Sequence, residues 1–161
     1  MRRCLTSLSV VFLVLLSSAS MARCDTAPDD MQKVQGRWER DLFGPAGERT
    51  GRALKEITGN HETITLYDLE DRITHRHKVE FKLEMAGQVK LFTFSNLEVT
   101  DGSDKGRRTP GPISYIYRVD PKQFVEAWGF LPGQETHPAE MFTWFRGKSG
   151  GAPAASKTNA R

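Results

Sequence analysis

Two histidines separated by a single residue, His75 and His77, are the most chemically suggestive pair in this chain of 161 residues. In an extended strand, residues two apart point the same way with Cα atoms about 6.6 Å apart, and two imidazoles so placed can share a zinc ion. A zinc site needs a third ligand. His137 is the candidate, because His61 falls in a turn signal. The other reading is a pair of half-wet imidazoles hydrogen-bonded to their neighbours. We adopt the second reading, so neither a metal nor a cofactor is expected.

A second constellation is aromatic. Tyr115, Tyr117, Phe124, Trp128, Phe130, Phe142 and Trp144 crowd the last third of the chain. Small-molecule pockets combine apolar walls with a few polar tips. His75, His77, Phe81, Tyr115, Tyr117 and Trp128 are therefore the candidate ligand-binding residues, with the two tyrosines and two histidines orienting the ligand. The alternative is that these rings are simply core. Glu126, between Phe124 and Trp128, is expected to face solvent; turned inward, it would need a partner or a raised pKa. Asp101-Gly102-Ser103-Asp104 concentrates oxygen atoms, but no glutamate follows at calcium-loop spacing, so it reads as a turn. The chain contains no G-x-S-x-G, no H-E-x-x-H and no phosphate-binding glycine loop, and an enzyme is not expected.

The elements that must position these residues are strands. Asp29–Gln35 reads as one or two helical turns ended by Gly36. After it come eight extended segments, 37–43, 52–58, 62–68, 72–85, 89–100, 113–119, 123–130 and 141–146, divided by Gly, Pro, Asn and Asp turn signals. No long helical pattern lies between strands, so parallel crossovers are excluded and an antiparallel meander follows. Rolled into an up-and-down barrel, the meander removes its own edges. In 73–85 the odd-numbered residues, from Ile73 through His75, His77 and Val79 to Met85, form a dry face against a charged one. The phase of Phe92 and Phe94 against Val89 and Leu91 is left open. An eight-stranded barrel holds one small ligand at most, and so many aromatics on short strands favour a filled interior.

The termini read differently. Arg2 and Arg3, the apolar run Leu8–Leu16 and the small-residue site Ser20-x-Ala22 make a secretory signal peptide over residues 1–22. The expected destination is periplasmic or extracellular. Residues 23–28 form a polar arm, 29–147 the domain, and 148–161 a disordered tail rich in Gly, Ala, Ser and Lys. Arg23 immediately before Cys24 argues against lipid attachment, so no stable membrane anchor is expected. The formal charge of +3 includes Arg2 and Arg3, and the remaining charges are interleaved by sign. Nucleic-acid binding has no support.

Three stretches carry a resemblance: VQGRWER at 34–40, DGSDKG at 101–106 followed by IYRVD at 116–120, and HPAEMF at 137–142. On these residues the chain resembles a lipocalin-like domain family of unknown function, abundant in secreted planctomycete proteins. The resemblance implies an eight-stranded antiparallel lipocalin-type barrel opened by Gly36-x-Trp38. It further implies that Arg146 lies across Trp38 and closes one end, a cation–π contact worth about 0.5–2 kcal/mol. The function it implies is non-enzymatic binding of a small apolar or amphipathic molecule. The alternative is a cell-envelope interaction module with a filled core, working through loop 101–112 and its Lys105, Arg107 and Arg108.

Overall fold

A computed structural model describes residues 28–136 and 138–147. The leader expected over 1–22, the arm up to residue 27 with Cys24, His137 and the tail 148–161 lie outside the described residues. The chain begins with a seven-residue helix, α1 (Pro28–Val34). Gly36 then turns it into the first strand with φ 102°, in the left-handed region that side chains resist. A Cβ on Gly36 would stand 3.1 Å from Arg146 Nη1, so glycine here also makes room for a neighbour.

The strands are β1 (Gly36–Phe43), β2 (Arg49–Thr58), β3 (His61–Tyr67), β4 (Ile73–Ala86), β5 (Val89–Gly102), β6 (Arg108–Thr109), β7 (Ile113–Val119), β8 (Gln123–Trp128) and β9 (Glu140–Arg146). Around the sheet they run β4-β3-β2-β1-β9-β8-β7-β5, and β5 pairs back onto β4. All pairings are antiparallel, so eight strands close a lipocalin-like up-and-down barrel. The extra strand, β6, lies inside the segment read from sequence as loop. Its two residues pair with Leu97 and Glu98 on the edge of β5 that β7 also uses. A two-residue strand followed by Pro110-Gly111-Pro112 gives no alternation to read. Asn96, at φ 54°, donates its backbone N–H to the Pro110 carbonyl where the partner changes from β7 to β6.

Register fixes which side chains face inward. Trp38 pairs with Lys55, Lys55 with Ile64, Ile64 with His77 and His77 with Val99, a ring of inward residues at one level. One level further along, Arg40 pairs with Ala53, Ala53 with Leu66 and Leu66 with His75. The phase left open in β5 is now fixed: Phe92 and Phe94 are buried while Val89 is exposed.

The end beside α1 is solid. Phe81 stacks on Phe92 at 4.4 Å, and Phe124 meets the edges of Trp38 and Tyr117 at 5.6 and 6.0 Å. Beneath them, Asp30 accepts from Lys33, Lys90 and the Tyr117 hydroxyl, tying the helix to β5 and β7. The expected filled interior holds only for this half; the other half is hollow. The barrel wall is also uneven. β1 and β9 pair only at Trp38–Arg146 and Glu39–Phe145, and toward the hollow end the two strands carry no further pairing.

Candidate functional site: a charged cavity in the barrel

The closed end depends on Trp38, which is fully buried and donates its indole N–H to the Val34 carbonyl at 2.7 Å. The Arg146 guanidinium lies 3.7 Å above the Trp38 ring. It also donates to the Gln35 and Lys33 carbonyls, the latter at 2.8 Å. Arg146 thereby satisfies carbonyls at the end of α1 that the helix itself leaves open. Gly36, Trp38 and Arg146 form one plug.

Above the plug lies a cavity of about 270 Å³. One part of its wall is apolar, built from Ile64, Leu66, Val79, Phe94 and Leu97. The other part is charged, which nothing in the aromatic pattern announced. Lys55 on β2 is 1% exposed, and Glu62 on β3 and Glu126 on β8 are each 4% exposed. Lys55 Nζ donates to Glu126 Oε1 at 2.6 Å, while Trp144 Nε1 donates to Glu126 Oε2 at 2.9 Å. Both oxygens of Glu126 are thus satisfied. Lys55 Nζ also lies 2.9 Å from Glu62 Oε2, close enough for ion pairing, yet off the hydrogen-bond direction, so that oxygen has no hydrogen-bond partner. Phe124 and Trp144 each present a ring face 4.7 Å from the same ammonium.

Arg40 on β1 completes the charged wall. Its guanidinium sits 4.6 Å from the centre of Phe142 and 4.9 Å from that of Trp144. Its Nε is buried without a hydrogen-bond partner. Burial lowers the Arg40 pKa, with Glu126 and Glu140 opposing that shift, and a guanidinium remains charged. Burial pushes the Glu62 carboxyl up to about 7; Lys55 opposes this and Glu126 adds to it. His77 moves the other way, to about 4, through burial first and then the nearby His75, Lys55 and Arg107. At neutral pH the His77 ring is therefore neutral. His75 Nε2 and His77 Nδ1 are 3.0 Å apart, hydrogen-bond distance, with the donor set by the tautomer. Burial, reinforced by Glu126, raises the Tyr115 phenol, so it stays protonated.

No family model, no curated protein and no solved structure matches this chain. What the site can do therefore has to be argued from its geometry.

Of the ligand-binding residues expected from sequence, the structure brings His75, His77 and Tyr115 into the cavity wall. It places the other three elsewhere. Phe81 and Tyr117 sit in the solid half, because two residues along a strand move a side chain about 6.6 Å along the barrel. Trp128 packs on Tyr115 at 5.0 Å and faces a surface depression beside Pro112 and Gln134. Glu126, expected outside, points inward in phase with Phe124, and its partner Lys55 lies 71 residues away. Among the described residues no three His, Cys, Asp or Glu side chains converge to hold a metal ion; His137, the suggested third ligand, lies outside them. Sequence reasoning missed Arg40, Lys55 and Glu62. The available signal was a charged residue on the dry phase of three strands, as in Ala53-x-Lys55-x-Ile57.

Proposed function

We propose that this protein is a small-molecule-binding barrel, acting by holding a ligand and not by transforming it. We further propose that it belongs with exported lipocalin-like proteins, as its first 22 residues and its three motif stretches imply. The observation that carries the binding reading is the cavity itself, about 270 Å³ of space above a solid plug. A cavity near 150 Å³ takes benzene, so this one suits a molecule of roughly ten heavy atoms. Apolar side chains on one side and Arg40, Glu62 and His77 on the other favour an amphipathic ligand over a wholly apolar one. Contact through loop 101–112 is the weaker reading. Two of its cations are already engaged, Arg107 with Asp104 at 2.9 Å and Arg108 with Glu98 at 3.0 Å.

Native mass spectrometry of protein purified without denaturation from its own host tests the reading. We expect a retained mass of one small molecule per chain, lost in a Leu66→Trp variant that fills the space. Identical ligand-free masses for both proteins would overturn it.

A further inference from the structure

We propose that the ligand of this cavity is a small monoanion, a carboxylate on a single ring or short chain, held by the Arg40 guanidinium. The proposal rests on the binding reading above and adds the chemistry of the headgroup. Arg40 carries it. Its Nε is a buried charged donor with no acceptor among the described residues, and leaving such a donor unpaired is costly. The guanidinium carbon lies over the Phe142 and Trp144 rings, and ring faces offer the planar N–H groups of a guanidinium no lone-pair acceptor. A carboxylate is the acceptor that matches this edge with two parallel bonds.

The surrounding charges favour an anion over a cation. Each oxygen of Glu126 already accepts one hydrogen bond, from Lys55 and from Trp144, and an incoming ammonium would meet the Lys55 charge beside it. Glu62 is shared with Lys55 and is half protonated near neutrality. With Glu62 protonated, the half-buried Arg40 and the buried Lys55 and Glu126 together have an excess of one positive charge. The protonated Glu62 can also donate its O–H to the same carboxylate. The other groups facing this space are His75 and His77 on β4 and Tyr115 on β7; Glu140 acts on Arg40, and Arg107 acts on His77. His77 is neutral and Tyr115 protonated across pH 6 to 8, whereas Glu62 titrates within that range, and the Glu62→Gln variant isolates its share of the pH dependence.

Phenylacetate and its uncharged analogue phenylacetamide, titrated into the full chain by calorimetry at pH 6 and pH 8, test the proposal. Phenylacetate is ionised at both values. It should bind more tightly than the amide, with the larger advantage at pH 6, where Glu62 is protonated. Arg40→Met should weaken phenylacetate about tenfold or more and the amide, a neutral acceptor, by much less. Glu62→Gln should carry the pH 6 affinity for the acid to pH 8. The acid–amide comparison in the unsubstituted protein decides the matter even where a variant fails to fold. Equal affinities for acid and amide would refute the anion and leave the binding cavity intact. Binding of neither probe to natively folded protein would overturn both.

Discussion

Lys55 is the residue on which the interior depends most directly. It is the only cation within ion-pair distance of Glu62 and Glu126 among the described residues. Lys55→Met keeps the volume but leaves two carboxylates facing each other in a buried space. Breaking a buried ion pair from one side costs about 3–5 kcal/mol. We expect urea unfolding of Lys55→Met to show a loss of this size, largely recovered when Glu62→Gln and Glu126→Gln are added. A single variant as stable as the parent would mean the carboxylates escape to water. Legibility divided at this same scale. The plug was readable through the resemblance, which assigns Gly36, Trp38 and a late arginine their roles. The charged triad was not, because its members come from three strands and no local pattern links Lys55 to a carboxylate 71 residues away. Alternation alone says that Glu126 shares a face with Phe124; only closure of the barrel says that this face is inside.

The strands themselves were legible because every turn is marked by Gly, Pro, Asn or Asp and because β4 alternates over its whole length. β6 was not, for want of length. The seam between β1 and β9 was equally invisible, since a strand's sequence does not say how far two partners stay paired. Only Trp38–Arg146 and Glu39–Phe145 join them, against eleven paired positions between β4 and β5. On the outer side of the seam, Phe43, Met141 and Phe145 are exposed, and Arg40 reaches both the outer groove and the cavity. Hydrogen exchange should therefore find the β9-facing amides of residues 40–43 poorly protected and the β4–β5 ladder strongly protected. Equal protection on both sides of the barrel would show the seam to be closed in solution. Arg146 is the clamp at its lower end. Arg146→Ala removes a ring contact and two hydrogen bonds to the end of α1, an expected loss of about 1–3 kcal/mol, measurable as a lowered melting temperature.

For the molecule as a whole, the two cavity groups that titrate between about pH 4 and 7 pull stability in opposite directions as pH changes. Glu62 titrates near 7 when folded and at 4.5 as a free side chain. Between these values the folded state binds the extra proton, so the contribution of Glu62 is complete at low pH and is lost as pH rises through 7. His77 titrates near 4 when folded and at 6.5 when free. Between those values the unfolded state binds the extra proton, so the contribution of His77 grows as pH rises. The windows overlap from about pH 4.5 to 6.5, and each slope approaches about 1.4 kcal/mol per pH unit. The intact protein should accordingly show a nearly flat stability across that interval. The lowered carboxyls of Asp30, Asp68 and Asp120 act below it, because their ordinary value is 3.8. Glu62→Gln leaves the His77 slope unopposed, and denaturant midpoints should then rise from pH 4.5 to 6.5. His77→Gln leaves the Glu62 slope unopposed, and midpoints should fall over the same range. Profiles that stay parallel to the parent in both variants would show that neither group is buried in solution, and the charged cavity with it. A ligand carboxylate bound at Arg40 would favour the protonated form of Glu62, since it adds a negative charge beside that carboxyl. By linkage, saturating ligand should move the Glu62 titration upward and make the falling limb of the stability profile extend to higher pH, since the upper end of that limb is set by the folded-state value.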